Sequence, residues 1–289
     1  MIRGILLALA AAGVYGFLGV SLEVVGKRGY PIWVFNLYKM LTGFLLGLGA
    51  TLLMHLPLYV PKLLWLGLAG ALCFPLTAAA YLTASRERDI AANWTILNLS
   101  VVLPIVASVW WFGDSFTWPK GIGVIFTLVA IFLIGGGFQG VSWRTFKGSW
   151  ASYIAVAFLL NGWLVVMFRF VPSRLGPVFT LYFYGLSVLL VIPILWATGG
   201  PWIPTRSNLG IAVVSAVSHW SGVILTITAL GVVAKVSHEA GLVVYPITNG
   251  LVIPVGVILG ALILRQKIGL RAAAGVVCGM IALAILSLS

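Results

Sequence analysis

A few polar side chains lie inside otherwise apolar stretches of this sequence, and they are the residues that could bind a solute. Lys39 and His219 lie deepest in such stretches, whereas Glu23 lies near the end of the first one. Burying an ionisable side chain in hydrocarbon costs about 2.5 to 3.5 kcal/mol, so a partner or a wet cavity is expected. We predict that His219 binds substrate or takes up protons near neutral pH, with an interhelical hydrogen bond as the structural alternative. Glu23 is predicted to pair with Lys39, either as a structural ion pair or as a coupling site.

Asn98 and Asn249 occupy related positions in the two halves of the chain. The segment 91–101 reads AANWTILNLSV and the segment 241–252 reads GLVVYPITNGLV, and they align at these two asparagines. An asparagine at membrane depth requires a hydrogen-bonding partner, which is another helix or a solute. Both residues are therefore candidates for substrate binding or for helix packing. Two prolines bracket Asn249, which predicts a kinked segment that lines a cavity.

Several aromatic rings lie where they could line a pocket. Most tryptophans of the sequence fall near the ends of apolar stretches, at the interfacial level that indole prefers. Trp163 and Trp220 fall near the middle instead. Packing explains most single aromatic residues in membrane helices, but the set as a whole favours a solute with an apolar or aromatic part. Such positions are occupied by Tyr15, Tyr81, Trp94, Trp163, Tyr182, Tyr184, Trp220 and Tyr245, and all of these except Tyr182 and Tyr184 are our candidates for substrate binding.

The composition is that of a membrane protein with several spans. Hydrophobic residues make up 62% of the 289 residues, charged residues only 8%, and the mean hydropathy is +1.15. In soluble domains about a quarter of all residues are charged. The net charge of +12 comes from bases spread over the connections, where they face lipid headgroups. No nucleic-acid-binding stripe, metal site, cofactor motif or catalytic group is indicated.

Ten apolar runs of about span length divide the chain into two sets of five. Because five is odd, a duplicated unit must cross the membrane in opposite senses in its two copies, so the repeat is inverted. We predict an all-α integral membrane protein with a first five-helix repeat at 1–138, a linker at 139–149 and a second repeat at 150–289. The runs are Ile2–Val25, Ile32–Met54, Leu63–Ala84, Ala92–Phe112, Pro119–Phe138, Trp150–Phe170, Val178–Ala197, Leu209–Val233, Ala240–Leu264 and Leu270–Leu288.

This pattern resembles the drug/metabolite transporter superfamily, in particular its ten-span EamA-type members. The most similar stretches are Asn98–Gly136 and Val243–Leu286, each with a proline-containing helix, a polar turn and a glycine-led helix. The family often has Glu at that turn, where this chain has Asp114 and Gln266; we interpret the position as a structural cap of the next helix. The resemblance implies cytoplasmic termini and a central cavity lined by spans one, three, four, six, eight and nine.

We therefore expect a secondary transporter that moves a small organic metabolite, an amino acid or a similar solute, outward by alternating access. A neutral, zwitterionic or anionic solute fits best, because Lys39 lies inside a span and all five acids lie at or near span ends. Efflux of lipophilic cations and a passive channel are alternatives. An integral membrane enzyme acting on lipid-linked substrates is disfavoured, since the one acidic cluster, Glu87 and Asp89, alternates with arginines.

The expected partners are the solute and membrane lipid, with no nucleic acid, in a monomer of the bacterial inner membrane. The orientation stays open. With a cytoplasmic N-terminus, the cytoplasmic connections would hold six basic residues and the opposite side ten. The positive-inside rule therefore favours an external N-terminus, whereas the resemblance implies an internal one.

Overall fold

The described part of the chain consists of helices joined by turns. The computed structural model describes residues 1–87, 90–134, 149–252, 254–255, 258–259, 262 and 269–288. Within these residues there is no β-strand, which confirms the all-helical prediction. The helices are α1 (Ile2–Lys27), α2 (Ile32–Leu53), α3 (Pro61–Glu87), α4 (Ile90–Leu99), α5 (Val102–Trp110), α6 (Trp118–Ile134), α7 (Ser149–Met167), α8 (Gly176–Ala197), α9 (Arg206–Val233), α10 (Ala240–Tyr245) and α11 (Leu270–Leu288).

Among the residues that the structure describes, six helical segments are long and apolar enough to cross a membrane. Such a segment needs roughly 20 mostly apolar residues, because each residue of a helix adds about 1.5 Å to a hydrocarbon path of about 30 Å. The six are Ile2–Lys27, Ile32–Leu53, Pro61–Ser85, Trp150–Phe170, Ser173–Ala197 and Arg206–Val233. Shorter apolar helices cover Ile96–Trp110, Trp118–Leu133 and Ala273–Leu286.

The fourth apolar run, predicted as one helix over Ala92–Phe112, forms the two helices α4 and α5. Pro104 has no amide N–H, so it cannot donate to the carbonyl of Ser100 as a regular helix would require. The N–H of Leu103 donates to that carbonyl instead, with a nitrogen–oxygen distance of 3.0 Å. The chain therefore turns at residues 100–101 and starts again as α5.

The ninth run, Ala240–Leu264, is irregular as well. Its first part is α10, and the π-helical turn Pro246–Gly250 follows directly. Pro246 and Pro254 both lack an amide N–H, so the regular ladder of hydrogen bonds loses a donor on each side of this turn. Asn249 lies within the turn. In the described residues, the regular helix is therefore interrupted where the two prolines predict a kink.

Helices of the first half pack mainly against helices of the second half. Helix α1 contacts α9, α2 contacts α8, and α3 contacts both α7 and α8. Helix α6 packs against α11. Long apolar helices leave close packing as their means of association, since lipid is as apolar as their side chains. This arrangement places a shared interior between the two halves.

Two sets of polar contacts define the ends of the helix bundle. At one end the Arg28 side chain donates to the Ser207 hydroxyl, with a nitrogen–oxygen distance of 3.0 Å, joining the end of α1 to the start of α9. At the other end the N–H of Ser115 donates to the carbonyl of His238 at 2.9 Å, joining the α5–α6 turn to the α9–α10 turn. We call the first the Ser207 end and the second, after the residue that precedes Ser115, the Asp114 end.

Candidate functional site

An internal cavity lies between the two halves of the chain. Its volume is about 80 Å³, and the surrounding space between atoms, including the part open to solvent at its mouth, amounts to about 710 Å³. Its lining comes from α1, α2, α3, α4, α7, α9 and the turn after α10. The lining residues are Tyr15, Leu18, Leu22, Lys39, Phe74, Thr77, Ala78, Tyr81, Leu97, Asn98, Asn161, Leu164, Val165, Phe168, His219, Asn249 and Val252.

The cavity brings together several of the residues predicted to bind substrate. Tyr15, Tyr81, Asn98, His219 and Asn249 all contribute to its lining. They belong to runs one, three, four, eight and nine, and with α7 these are the runs that the family resemblance implies. Lys39, from the second run, also lines the cavity. The two asparagines, 151 positions apart in the sequence, therefore face one space.

The cavity also contains four polar or aromatic residues that the sequence reasoning missed, Phe74, Thr77, Asn161 and Phe168. The Asn161 amide donates to the Ser100 hydroxyl at 2.8 Å, which ties α7 to the break between α4 and α5. Asn161 stands in the middle of an apolar run, so the criterion that selected Asn98 could have found it. Phe74 carried no comparable signal, because a phenylalanine in an apolar helix is unremarkable.

An aromatic cluster holds the His219 ring at the cavity. The His219 and Phe74 rings are stacked, with centroids 4.0 Å apart and planes 9° from parallel. The Tyr184 hydroxyl and His219 Nδ1 share a hydrogen bond of 2.5 Å. Because this bond occupies Nδ1, only Nε2 is left to interact with a solute or a water molecule. His219 therefore has both a fixed orientation and an interhelical hydrogen bond, the two roles that the sequence left as alternatives.

Lys39 is completely buried beside this cluster. Its side chain is 0% exposed, and its ammonium nitrogen lies 4.2 Å from the centroid of the Phe74 ring. A cation this close to a ring face is attracted by the ring quadrupole. Among the described residues the nitrogen has no hydrogen-bond partner. In the part of the chain that the structure describes, the interactions found for the Lys39 ammonium are therefore with aromatic faces.

The predicted ion pair between Glu23 and Lys39 is not formed. The Glu23 carboxylate accepts a hydrogen bond from the Lys27 ammonium at 2.5 Å. These two residues are four positions apart on α1, a spacing that places their side chains on one face of a helix. Glu23 also lies outside the cavity lining, while the Lys39 side chain extends into it from α2.

Three predicted aromatic ligands lie outside the cavity lining. The Trp163 side chain is 45% exposed on the outer surface and forms an edge-to-face contact with Trp111. The indole N–H of Trp220 donates to the Thr180 hydroxyl at 3.1 Å. Tyr245 is fully buried, and its hydroxyl has no partner among the described residues. The Trp94 side chain lies outside the described residues.

The asparagine in the π-helical turn bonds within its own segment. The Asn249 amide donates to the Thr248 hydroxyl at 2.9 Å and to the Tyr245 carbonyl at 3.3 Å. These bonds occupy the amide nitrogen and leave its carbonyl oxygen as the group that a solute could use. The turn thus supplies an acceptor to the cavity that Lys39 also lines.

A buried carboxylate, Asp114, joins three elements at the Asp114 end. It is 4% exposed and accepts hydrogen bonds from the Arg169 guanidinium at 3.1 Å and from the N–H groups of Gly241 and Leu242 at 2.6 and 3.3 Å. Burial raises the pKa of the Asp114 carboxyl, although Arg169 and both N–H groups act in the opposite direction. We expected this residue to cap the helix that follows it, α6. It instead binds the start of α10, where free N–H groups favour an anion.

A second buried ion pair reinforces the same end. The Lys120 ammonium of α6 donates to the Glu239 carboxylate, which also accepts a hydrogen bond from the Ser237 hydroxyl at 3.1 Å. The Lys120 side chain is 1% exposed and that of Glu239 17%. Two charge pairs therefore connect the first half to the second at the Asp114 end, whereas the contacts of Arg28 and Tyr30 with Ser207 at the other end are exposed.

The fold and the cavity define a multi-pass helical membrane protein with a polar interior site. The EamA-like transporter family model matches residues 2–136, the first half of the predicted repeat pair. The resemblance seen in the sequence is thereby confirmed. No curated protein matches the chain. A solved crystal structure shares the fold with a TM-score of 0.73 at 14% sequence identity, over 99% of this chain and 98% of the other.

Proposed function

We propose that this protein is a secondary transporter for a small organic metabolite, an amino acid or a similar solute, which it exports across a bacterial inner membrane. The observation that carries the proposal is the cavity, whose polar groups come from both halves of the chain. A site shared by two halves can face either side as the halves rock against each other. The match of residues 2–136 to the EamA-like transporter family supports the class of transporter.

The proposed architecture is that of ten spans in two inverted five-helix repeats, divided at the linker 139–149. The breaks in the fourth and ninth runs support this architecture, because Asn98 lies close to the first break and Asn249 lies in the second. Broken helices at the midplane are typical of secondary transporters. In this arrangement the buried ion pairs close the Asp114 end. Lining residues reach Leu22, five residues before the end of α1 and hence near the Ser207 end.

Two neighbouring residues of α7 provide a test of the site. Asn161 lines the cavity, while Trp163 lies on the outer surface. We expect Asn161→Ala to lower solute flux about tenfold, because a lost hydrogen bond of about 1.4 kcal/mol changes an equilibrium by that factor. Trp163→Leu should retain wild-type flux. The measurement is counterflow of radiolabelled amino acids and related metabolites in proteoliposomes.

Saturable flux that counterflow accelerates is the result expected of a carrier, and non-saturable flux would indicate a channel. Folded protein that transports none of the solutes would contradict the proposal. So would resistance to quaternary ammonium dyes that Glu23→Gln abolishes, since that result would favour efflux of lipophilic cations. The described carboxylates lie outside the cavity lining, which gives such cations no counter-ion there.

A further inference from the structure

The buried cation of the cavity has no carboxylate of its own among the described residues. Among the described residues, the Lys39 nitrogen lies over the rings of Phe74 at 4.2 Å and Phe35 at 5.7 Å. Aromatic faces attract a desolvated cation, but this attraction is far smaller than the cost of removing an unpaired ammonium from water. An ammonium group also offers three hydrogens for bonding. The site is therefore incomplete in its electrostatics and in its hydrogen bonding.

The acids whose side chains are described all bind other bases. Glu23 pairs with Lys27, Asp114 with Arg169, and Glu239 with Lys120. Those three pairs lie at the ends of the bundle, outside the cavity lining. Each base already has its acid, so none of the three carboxylates is left over for the cavity.

The fourth acid on a described backbone, Glu87, is distant along its helix. It is the last residue of α3, 13 residues beyond Phe74, over whose ring the Lys39 nitrogen lies. At 1.5 Å per residue this separation is about 20 Å along the helix axis. The position of Glu87 therefore does not favour it as the counter-ion.

We propose that Lys39 is the group that binds the carboxylate of the transported solute, so that substrates are small organic acids or zwitterions with a free carboxylate. This inference rests on the proposed transport function of the cavity. The solute supplies the missing negative charge and accepts hydrogen bonds from the ammonium, and a charged pair of this kind is strong in a dry site. Exchange of one carboxylate for the next keeps the lysine paired during transport.

The surroundings of Lys39 fit the rest of such a solute. Asn98, Asn161 and Asn249 line the same cavity and can bond an amino or hydroxyl group. Phe74 and Tyr15 supply apolar surface, and His219 presents its free Nε2. A cation in place of the carboxylate would meet Lys39 as a like charge. The cavity therefore selects against amines that lack an acid group.

The test compares acids with their amides. Detergent-solubilised full-length protein is titrated with L-leucine, L-phenylalanine and succinate, each beside its amide, while the unfolding midpoint is followed. A ligand that binds only the folded state raises this midpoint. We expect the acids to raise it and the amides to have no effect. In Lys39→Met the affinity for the acids should fall at least about tenfold, as expected for a lost bond to a charged group.

A second measurement separates a binding lysine from a structural one. Without ligand, Lys39→Met should unfold at the wild-type temperature or above it, because methionine removes a buried charge that has no acidic partner. A lower midpoint would show that Lys39 has a structural partner and would overturn the inference. Lys39→Arg keeps the charge and should keep part of the acid-specific shift. Lys235→Met, at an exposed position, is the matched control and should bind acids as the wild type does.

Acids that give no specific shift in the wild type, or a shift that Lys39→Met retains, would also overturn the inference. Failure of the inference is distinguishable from failure of the transport function. If the wild type transports amides as well as acids, and Lys39→Met still transports both, the protein is a transporter without a carboxylate site. Acid binding that depends on Lys39, with no flux in proteoliposomes, leaves a carboxylate site in a protein that does not transport.

Discussion

Replacing Asp114 by alanine is expected to lower the free energy of unfolding by about 3 to 5 kcal/mol, because the change leaves a buried charge without its partner. Asp114 is 4% exposed, and the Arg169 side chain that it binds is 13% exposed. The second guanidinium nitrogen, Nη1, has no partner among the described residues, so Arg169 depends on this carboxylate. The variant also frees the N–H groups of Gly241 and Leu242 at the start of α10.

The measurement is reversible unfolding in mixed detergent micelles, with Lys27→Gln as the control. Lys27 also forms an ion pair, but its side chain is 56% exposed and its partner lies four residues away on the same helix. Such exposed pairs contribute about 0.3 to 0.5 kcal/mol. If Asp114→Ala lost no more stability than Lys27→Gln, Asp114 would not be the link between the turn after α7 and the start of α10.

Two further variants separate charge from hydrogen bonding at the same site. Asp114→Asn keeps an oxygen that can accept the α10 N–H bonds but removes the negative charge, so its loss should be smaller than that of the alanine variant. Combining Asp114→Asn with Arg169→Gln removes both charges. We expect the double variant to be more stable than the sum of the single losses predicts, since neither partner then remains as a lone buried charge.

The ends of the long helices could be predicted closely from the sequence. The first run was predicted over Ile2–Val25 and forms Ile2–Lys27; the second, predicted over Ile32–Met54, forms Ile32–Leu53. Apolar runs of span length have few other structures available, because unsatisfied backbone groups are too costly in lipid. Pro104 and Pro246 lie close to breaks in their helices, whereas Pro75 and Pro193 lie inside the continuous helices α3 and α8, so a proline alone did not show which run would break.

The faces of those helices could not be predicted in the same way. In a soluble protein, polar residues mark the outer face, but lipid is as apolar as the interior, so this signal is absent. Trp163 and Trp220 were both predicted to line the site from their midspan positions, and both lie outside the cavity lining. Asn161 lines it from a position two residues before Trp163, and a two-residue step points to nearly the opposite side of a helix.

Partners distant in the sequence were the other element that could not be predicted. The ion pair expected for Lys39 joined it to a nearby acid in the same hairpin, yet Glu23 pairs within α1 and Lys39 extends into the cavity. Asp114 was expected to cap the next helix and instead binds Gly241, 127 positions away. Local sequence suggests local partners, whereas the packing of the two halves decides which groups meet.

Close packing of α2 on α8 is the contact that fixes the position of Lys39. Gly43 and Gly47 follow Lys39 at intervals of four residues, so all three lie along one face of α2. A Cβ atom at Gly47 would lie 2.8 Å from the backbone nitrogen of Leu181 and 3.0 Å from its Cα in α8. Backbone atoms of a packed helix cannot move aside as the end of a flexible side chain can. The absence of a side chain at Gly47 therefore sets the distance between the two helices.

We accordingly expect Gly47→Ala to lower the free energy of unfolding by about 1 to 3 kcal/mol, the usual cost of overpacking. Gly49→Ala on the same helix is the matched control, because a Cβ atom there meets no other atom within 4 Å. It should raise stability by about 0.5 to 1 kcal/mol, since alanine favours a helix over glycine. Unfolding in mixed micelles measures both, and equal effects of the two variants would contradict close packing at Gly47. Because displacement of α2 also moves Lys39 relative to Phe74, Gly47→Ala should weaken acid binding as well, whereas Gly49→Ala should leave it unchanged.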